Sequence, residues 1–322
     1  MKGAALARDE PIDAVYTWVD GAAPGHAEAL ERHARNAHDR SPNRTRDNLE
    51  LLRFSLRSLE RFAPWLRRVV LVTQRPQRPA WLELSEPSLR LVHHDEIFDP
   101  AHLPCFNSFA IVANLHRVPG LSRHFLYLAD DYLLAAPVRR SDFFWPDGGH
   151  KLYFSRRGTP SAERVGDRWI SRWDAALAQS NALLDDAYGQ RARRVTCHAP
   201  LMIERESYEA CAALWRTEWE RTRASRFREP HNLAPEYLYP WYLQHERKGR
   251  AVPRLSRWRS AAYWGLDNRL ALQRAALAWL RLRPMKFLCL NDNFDERASP
   301  AVERAVRRFL ERRYPQRSRF ER

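Results

Sequence analysis

Two adjacent acids, Asp130 and Asp131, follow directly on the apolar run Phe125-Leu126-Tyr127-Leu128. Hard divalent cations take carboxylate oxygens, and Mg²⁺ keeps several waters and substrate phosphates beside one or two carboxylates. An acid pair closing a strand suits that chemistry, whereas without the strand it would read as a solvated turn. Asn291-Asp292-Asn293, after residues 287–290, repeats the layout. Its amides and carboxylate would orient a nucleotide or complete a metal shell, or simply form an Asx-rich turn. His198, in Thr196-Cys197-His198-Ala199-Pro200, offers a neutral imidazole that can take the proton of an attacking hydroxyl. Its alternative is a structural histidine. Arg223, Arg226 and Arg228 crowd one short segment, as a phosphate clamp or as a solvated face. His93-His94-Asp95-Glu96 has its ligand types adjacent rather than on one helical face, so it reads as structural. The glycine-rich dinucleotide, Walker and GxSxG signatures are absent.

These groups need elements to hold them. Residues 12–19 are β-branched and aromatic and end at Asp20-Gly21, a strand running into a turn. Apolar residues at 51, 52, 56, 59 and 62 have helical spacing, with Asp47 as the expected N-cap and Glu50 three residues on. Pro64 ends that helix. Residues 68–73 read as a buried strand, 89–93 as another, 109–118 as a helix and 125–128 as a strand. Strands alternating with helices predict an α/β fold with a parallel-rich sheet. Sites in such sheets lie at the carboxyl ends of strands, where Asp20, Asp130 and Asp131 fall. The second half reads as more helical: 172–190, 204–223, an aromatic segment over 235–244, a strand at 286–290 and a basic amphipathic helix over 300–314.

The 322 residues, 44% hydrophobic and 29% charged, exclude a mostly disordered chain, a collagen and a coiled coil. No window approaches 18 uncharged apolar residues, which argues against a spanning helix, and residues 1–20 lack a signal-type apolar core. Four cysteines without a CxxC pair fit a reducing, cytoplasmic setting. Lys and Arg number 54 against 39 acids, for a net charge of +15, and Lys stands only at Lys2, Lys151, Lys248 and Lys286. So Arg-rich a surface attracts polyanions, phosphorylated substrates and anionic membrane faces. No nucleic-acid-binding motif is present, so no specific nucleic-acid partner is expected.

Several segments together resemble the Stealth family. Ile12-Asp13-Ala14-Val15-Tyr16-Thr17-Trp18-Val19-Asp20-Gly21 is similar to its first block. The second is resembled by Arg46-Asp47-Asn48-Leu49-Glu50-Leu51-Leu52-Arg53, Leu103-Pro104-Cys105-Phe106-Asn107-Ser108, Leu115-His116-Arg117-Val118-Pro119-Gly120 and the strand ending at Asp131. Residues 198–228 resemble the third block and 286–293 the fourth. The resemblance covers most of the chain, in order.

It implies a GT-A-like, Rossmann-type mixed or parallel sheet flanked by helices, in one catalytic domain over 1–322. Within it, residues 10–145 would form a nucleotide-sugar-binding α/β half and 146–285 a helical acceptor and phosphate half. Residues 286–322 would return a strand and a basic helix to the core. The implied activity is hexose-1-phosphate transfer from a nucleotide-sugar donor to a glycan acceptor, with Mg²⁺ or Mn²⁺, in capsule or cell-surface polysaccharide synthesis. The implied catalytic residues are Asp131, His198 and Arg228. Asp130, Asp131 and Asp292 would hold metal, and Asp20, Asn107, Arg117 and Asn293 would bind the donor. The protein would be cytoplasmic, with the basic 300–314 helix offering peripheral contact to an anionic membrane face. The chain departs from the family at Val112, where a catalytic Glu is usual, at Ala129 in the Asn-Asp-Asp pattern, and at Leu201, where a second His is usual. Ordinary glycosyl transfer on a similar core, and non-catalytic polyanion binding, are the competing readings.

Overall fold

A computed structural model describes residues 10–41, 45–167, 169–253, 260–294 and 296–322. Of the stretch 1–20, read as lacking a signal-type apolar core, residues 1–9 lie outside the described residues. The first half alternates β1 (Ile12–Thr17), α1 (His26–His33), α2 (Leu51–Phe62), β2 (Val69–Thr73), β3 (Leu89–His93), α3 (Ser108–Asn114) and β4 (His124–Ala129). β1, β2, β3 and β4 run parallel in the order β3-β2-β1-β4. Burial on both faces explains why β1, β2 and β4 are nearly continuous apolar runs. The alternation of strand side chains divides the core in two. Phe125 and Tyr127 of β4 face one cluster with Val15 and Phe109, and Leu126 and Leu128 face the other with Tyr16, Leu52 and Leu56.

The second half is more stranded than the sequence reading. After β5 (Tyr132–Leu134), β6 (His150–Leu152) and β7 (Phe154–Gly158) come α4 (Arg172–Tyr188), β8 (Arg194–Thr196) and β9 (Leu201–Glu204). β9 pairs antiparallel with β4 and adds a fifth strand to the sheet, so the sheet is mixed. The helix expected over 204–223 is two, α5 (Arg205–Leu214) and α6 (Arg216–Ala224), because Trp215 leaves helical geometry at φ −118°, ψ 48°. α7 (Pro235–His245) carries the aromatic segment and β10 (Gly249–Ala251) pairs with β6. β11 (Ala261–Leu266), α8 (Leu270–Leu282), β12 (Phe287–Asp292) and α9 (Pro300–Arg313) complete the described elements. β12 lies between β11 and β5.

Two helix expectations change. Glu50, not Asp47, occupies the N-cap position of α2, in left-handed backbone, and no side chain caps that end. The helix after Asn107 ends at Asn114 and tightens into a 3-10 turn over Leu115–Arg117. α9 buries Val302, Val306 and Leu310 against the core and turns Arg304, Arg308 and Arg312 outward. No helix is long and apolar enough to cross a membrane, among the described residues.

Candidate functional site

β4 ends at Ala129 and β5 begins at Tyr132, so Asp130 and Asp131 form the intervening turn, at the carboxyl end of a central strand. β5 is held there by β12, with Cys289 opposite Tyr132. That pairing brings Asn291 Nδ2 to 3.2 Å and Cys289 Sγ to 3.3 Å from Asp131 Oδ2, both donating. No ion pair reaches Asp130 or Asp131 among the described residues. Burial pushes the Asp130 carboxyl well above the usual range, and the charges of Asp131 and Asp47 push it further. Burial also raises Asp131, against the opposing influence of Asn291, His198 and Cys289. Two adjacent carboxylates taken partly out of water, with no cation beside them, are a standing electrostatic cost.

His198 stands in the loop between β8 and β9. Its ring packs 5.7 Å from Trp173 of α4 and 5.0 Å from Tyr263 of β11. Burial lowers its pKa and the nearby Asp131 charge opposes the shift, so the imidazole is a neutral base facing a carboxylate. His198, Trp173, Tyr132, Tyr127 and Glu236 line one cleft. Arg228 approaches from the segment after α6. Its guanidinium lies 4.6 Å over the Phe109 ring and donates to Ser108 Oγ. Trp173 stacks on the same Phe109 ring at 5.6 Å, which joins the Arg228 and His198 sides of the cleft.

Two acids escaped the sequence reading. Glu236, in the first turn of α7, is hydrogen-bonded by Tyr127 and influenced by Arg228 and Asp131. Burial pushes its carboxyl up to about 7, with Asp131 adding to the rise while Arg228 and Tyr127 resist it. An acid just inside the proline-started, otherwise apolar α7 was the available signal. Asp47, read as a cap, instead accepts from Trp18 Nε1 at 3.1 Å. Burial and the charges of Asp20 and Glu50 take it to about 7 despite that bond. Asp47 thus links Asp20, at the end of β1, to Asp130, at the end of β4.

The other expected site residues divide. Asp20 is half-buried, and its carboxylate caps Ala22 N at 2.8 Å. Asn293 is exposed beside Tyr263 and so lies at the rim near His198. Asn107 is fully buried and caps α3, accepting from Phe109 N. Its Nδ2 lies 3.0 Å from the Ser225 and Phe227 carbonyls and 2.8 Å from Asn232 Oδ1. It therefore fixes the segment that carries Arg228 rather than facing the cleft. Arg117 is exposed in the turn after α3, on the side of the sheet where β4 begins, and the structure does not bring it to the acids. Asp292 gives both oxygens to Arg46, at 2.8 and 2.9 Å, so its carboxylate is already neutralised by a cation. Arg223 and Arg226 bond backbone carbonyls of Ala113 and of Leu103 and Pro104, which makes them struts. Val112 is buried in the apolar core of α3. His94 is buried beside Phe98, as a structural histidine should be.

The region therefore sets adjacent hard oxygen donors near a neutral imidazole, with Arg228 within electrostatic reach of Glu236 in the cleft wall. Those three groups come from segments that also match known sequences. The models for Stealth protein conserved regions 2, 3 and 4 match residues 44–152, 197–245 and 278–322. An exopolysaccharide phosphotransferase of Streptomyces coelicolor is 39% identical over 97% of this chain and 52% of its own length. The chain thus spans about half the length of that relative. The capsular polysaccharide phosphotransferase fcs1 of Haemophilus influenzae is 30% identical over 76% of this chain and 68% of its own. Among solved structures, the galactosyltransferase LgtC superimposes over 95% of this chain and 96% of its own, at 10% identity and a TM-score of 0.45. Asp130 and Asp131 lie inside the matched second region and His198 and Arg228 inside the third, in the order the fold requires, and with relatives matched at this length the chain belongs to the Stealth family.

Proposed function

We propose that this chain is a sugar-phosphate transferase, which moves hexose 1-phosphate from a nucleotide-diphosphate sugar to a hydroxyl of a glycan acceptor in surface polysaccharide synthesis. The whole chain works as one catalytic domain. The observation that carries the reading is the carboxylate pair Asp130-Asp131, which no ion pair among the described residues reaches and whose Asp131 acts on His198, while Arg228 acts on Glu236 in the wall of the same cleft as His198. The names of the matched relatives point the same way.

The acceptor oxygen attacks the phosphorus attached to the sugar. A new P–O bond forms and the bridging P–O bond breaks, releasing nucleoside monophosphate. The acceptor's proton passes to His198, which burial keeps neutral and ready to receive it. Arg228 binds the phosphoryl oxygens where charge grows, and its planar donors suit them. Phe109, Ser108 and the Asn107 clamp hold that guanidinium in place. Trp173 and Tyr263 bracket His198, and aromatic faces of this kind suit sugar rings. Asp20 and Asn293, at either rim, orient the donor.

Asp130 and Asp131 fit a hard divalent cation, because their mutual repulsion and burial are relieved by one and all their free donors are oxygen. Mg²⁺ or Mn²⁺ bound there would supply charge stabilisation to the diphosphate. Asp292 is left out of that set, since Arg46 occupies it. Glu236 supplies the acid that the family usually carries at position 112. It arises from α7, which packs on α3, and reaches the same cleft.

The test is turnover with UDP-, GDP- and CDP-sugars, Mg²⁺ or Mn²⁺ and glycan acceptors, with the released nucleotide identified. Metal-dependent release of monophosphate, abolished in Asp131→Ala, is the expected result. Release of diphosphate would establish ordinary glycosyl transfer instead. Salt-sensitive polyanion binding without release from any donor would establish a binding protein on this fold.

A further inference from the structure

The opposite end of β4 holds a second cluster of ligand types that the transfer chemistry does not use. His124 opens β4, His150 opens β6 and Glu204 closes β9, directly across the ladder from His124. One ligand atom from each lies within 4.8 Å of the others. His124 is 3% exposed and His150 5%, and His150 has a buried Nδ1 without a hydrogen-bond partner. An unpaired buried nitrogen costs the desolvation of a good acceptor, and a bound cation would offset that cost.

The surroundings have the pattern of a ligand shell. His150 bonds the Met202 backbone through its ring, while its Nδ1 is bare. His124 Nε2 faces Glu204 Oε1 at 3.8 Å, and its Nδ1 faces Glu10 Oε2 at 3.4 Å. An imidazole that presents one nitrogen to a metal and the other to a carboxylate or carbonyl is the usual arrangement around bound zinc. Glu204 is itself oriented by Arg123, at 2.7 Å, and by Ser207. Phe144 walls the two rings, 5.4 Å from His124 and 5.2 Å from His150.

We propose that His124, His150 and Glu204 bind a single zinc-class divalent cation, which staples β4 and β9 of the main sheet to the β6–β10 ribbon. Two imidazoles and one carboxylate suit Zn²⁺ and leave a fourth position for water. Tetrahedral ligands at zinc distances stand roughly 3.4 Å apart, so the three side chains need only draw inward from their present spacing. The site lies about 20 Å along β4 from Asp130, at the usual rise per strand residue. At that distance it takes no part in the transfer chemistry, and what it joins is the strands that carry its ligands. Nitrogen donors separate it from the all-oxygen pair at the other end, which suits Mg²⁺.

The experiment is metal analysis of the untagged full chain after dialysis against zinc and then against a weak chelator. Stoichiometric retained zinc is expected. Unfolding temperature should fall by several degrees on stripping with a strong chelator and recover with zinc but not with magnesium. Cobalt substitution should give the visible bands of a four-coordinate ion. His150→Ala and Glu204→Gln should each lose the retained metal, with circular dichroism checking that they fold, while Asp131→Ala should keep it. Zinc absent from the parent chain, with no zinc-dependent shift in unfolding, overturns the proposal. So does zinc that persists in both His150→Ala and Glu204→Gln. Neither result depends on whether the chain transfers sugar phosphate.

Discussion

At the beginning of β1, Asp13 is fully buried, yet Arg67 grips both its oxygens at 2.6 and 2.7 Å and the Ser122 amide donates at 2.9 Å. At the end of the adjacent β4, Asp130 and Asp131 are also withdrawn from water, and no ion pair reaches either among the described residues: Asp130 has Asp131 and Asp47 beside it, and Asp131 has only Asn291, Cys289 and a neutral His198. Burial alone would raise every one of these carboxyls. At Asp13 the bonds from Arg67 and Ser122 and the charge of Arg68 outweigh it, and the pKa falls. At Asp130, Asp131, Asp47 and Glu236 nothing outweighs it, and the pKa rises. One end of the sheet is neutralised from within the chain. The other keeps acids that no ion pair neutralises among the described residues, which is what marks it as the candidate site.

The largest expected effect lies at the unneutralised end. Asp131→Ala, His198→Ala and Arg228→Ala should each lower monophosphate release about 10²–10³-fold, the usual loss of one electrostatic stabiliser, with unfolding little changed. Normal turnover in any of them removes that residue from the reaction. At the neutralised end the expectation is reversed. Asp13→Ala leaves Arg67 and the Ser122 amide without their partner, and should cost about 2–4 kcal/mol in urea unfolding. Because the Asp13 pKa is lowered on folding, its contribution is complete above the unfolded value of 3.8 and is lost as pH falls through the folded one. Parent and variant should therefore converge in strong acid.

Asn107→Ala probes the link between the two regimes. It should cost about 1–3 kcal/mol of stability for the unmet carbonyls and loosen the Arg228 segment. Donor KM should then rise more than kcat falls. The smallest effect, and the most diagnostic, has the opposite sign. Glu236 and Asp47 have pKa values raised by folding to about 7. Ionising them opposes folding, so the protein is favoured below the unfolded values and loses that advantage as pH rises through about 7. Glu236→Gln should thus raise the unfolding temperature at pH 8 by a few degrees, with most of the gain gone by pH 5, while activity falls. A variant less stable at pH 8 would show that Glu236 is paired after all.

The first half of the fold was legible because β1, β2 and β4 are long apolar runs separated by helical spacing. Asp131 stood out because it ends one of them. β5, β6, β8 and β10 have three residues each, too few for any period, and exist only through partners far along the chain. β9 is of that kind, since Leu201 pairs with Tyr127. His198 and Arg228 were legible through the resemblance in their segments. Asp47 and Glu236 were not, because the one local signal, an acid in the proline-started apolar α7, does not say what surrounds it. Their chemistry comes from burial and from like charges brought in by other segments of the chain. Asp292 was misleading for the same reason, as Arg46 meets it only in three dimensions.

Residues 160–192 leave and rejoin the body at one point, where Thr159 N donates to the Arg193 carbonyl at 3.0 Å beside the β7–β8 pair. This excursion carries α4, and α4 carries Trp173 into the cleft. Asp131 and His198 are aligned by the β4–β9 ladder outside it. The excursion is no loose loop, because α4 buries Ala176, Leu177 and Leu184 in the core it shares with α7, and Ser180 and Asn181 bond Ala234 and Tyr237. A change in the packing of α4 is therefore felt at once on two walls of the cleft, at Trp173 beside His198 and at the first turn of α7 that carries Glu236.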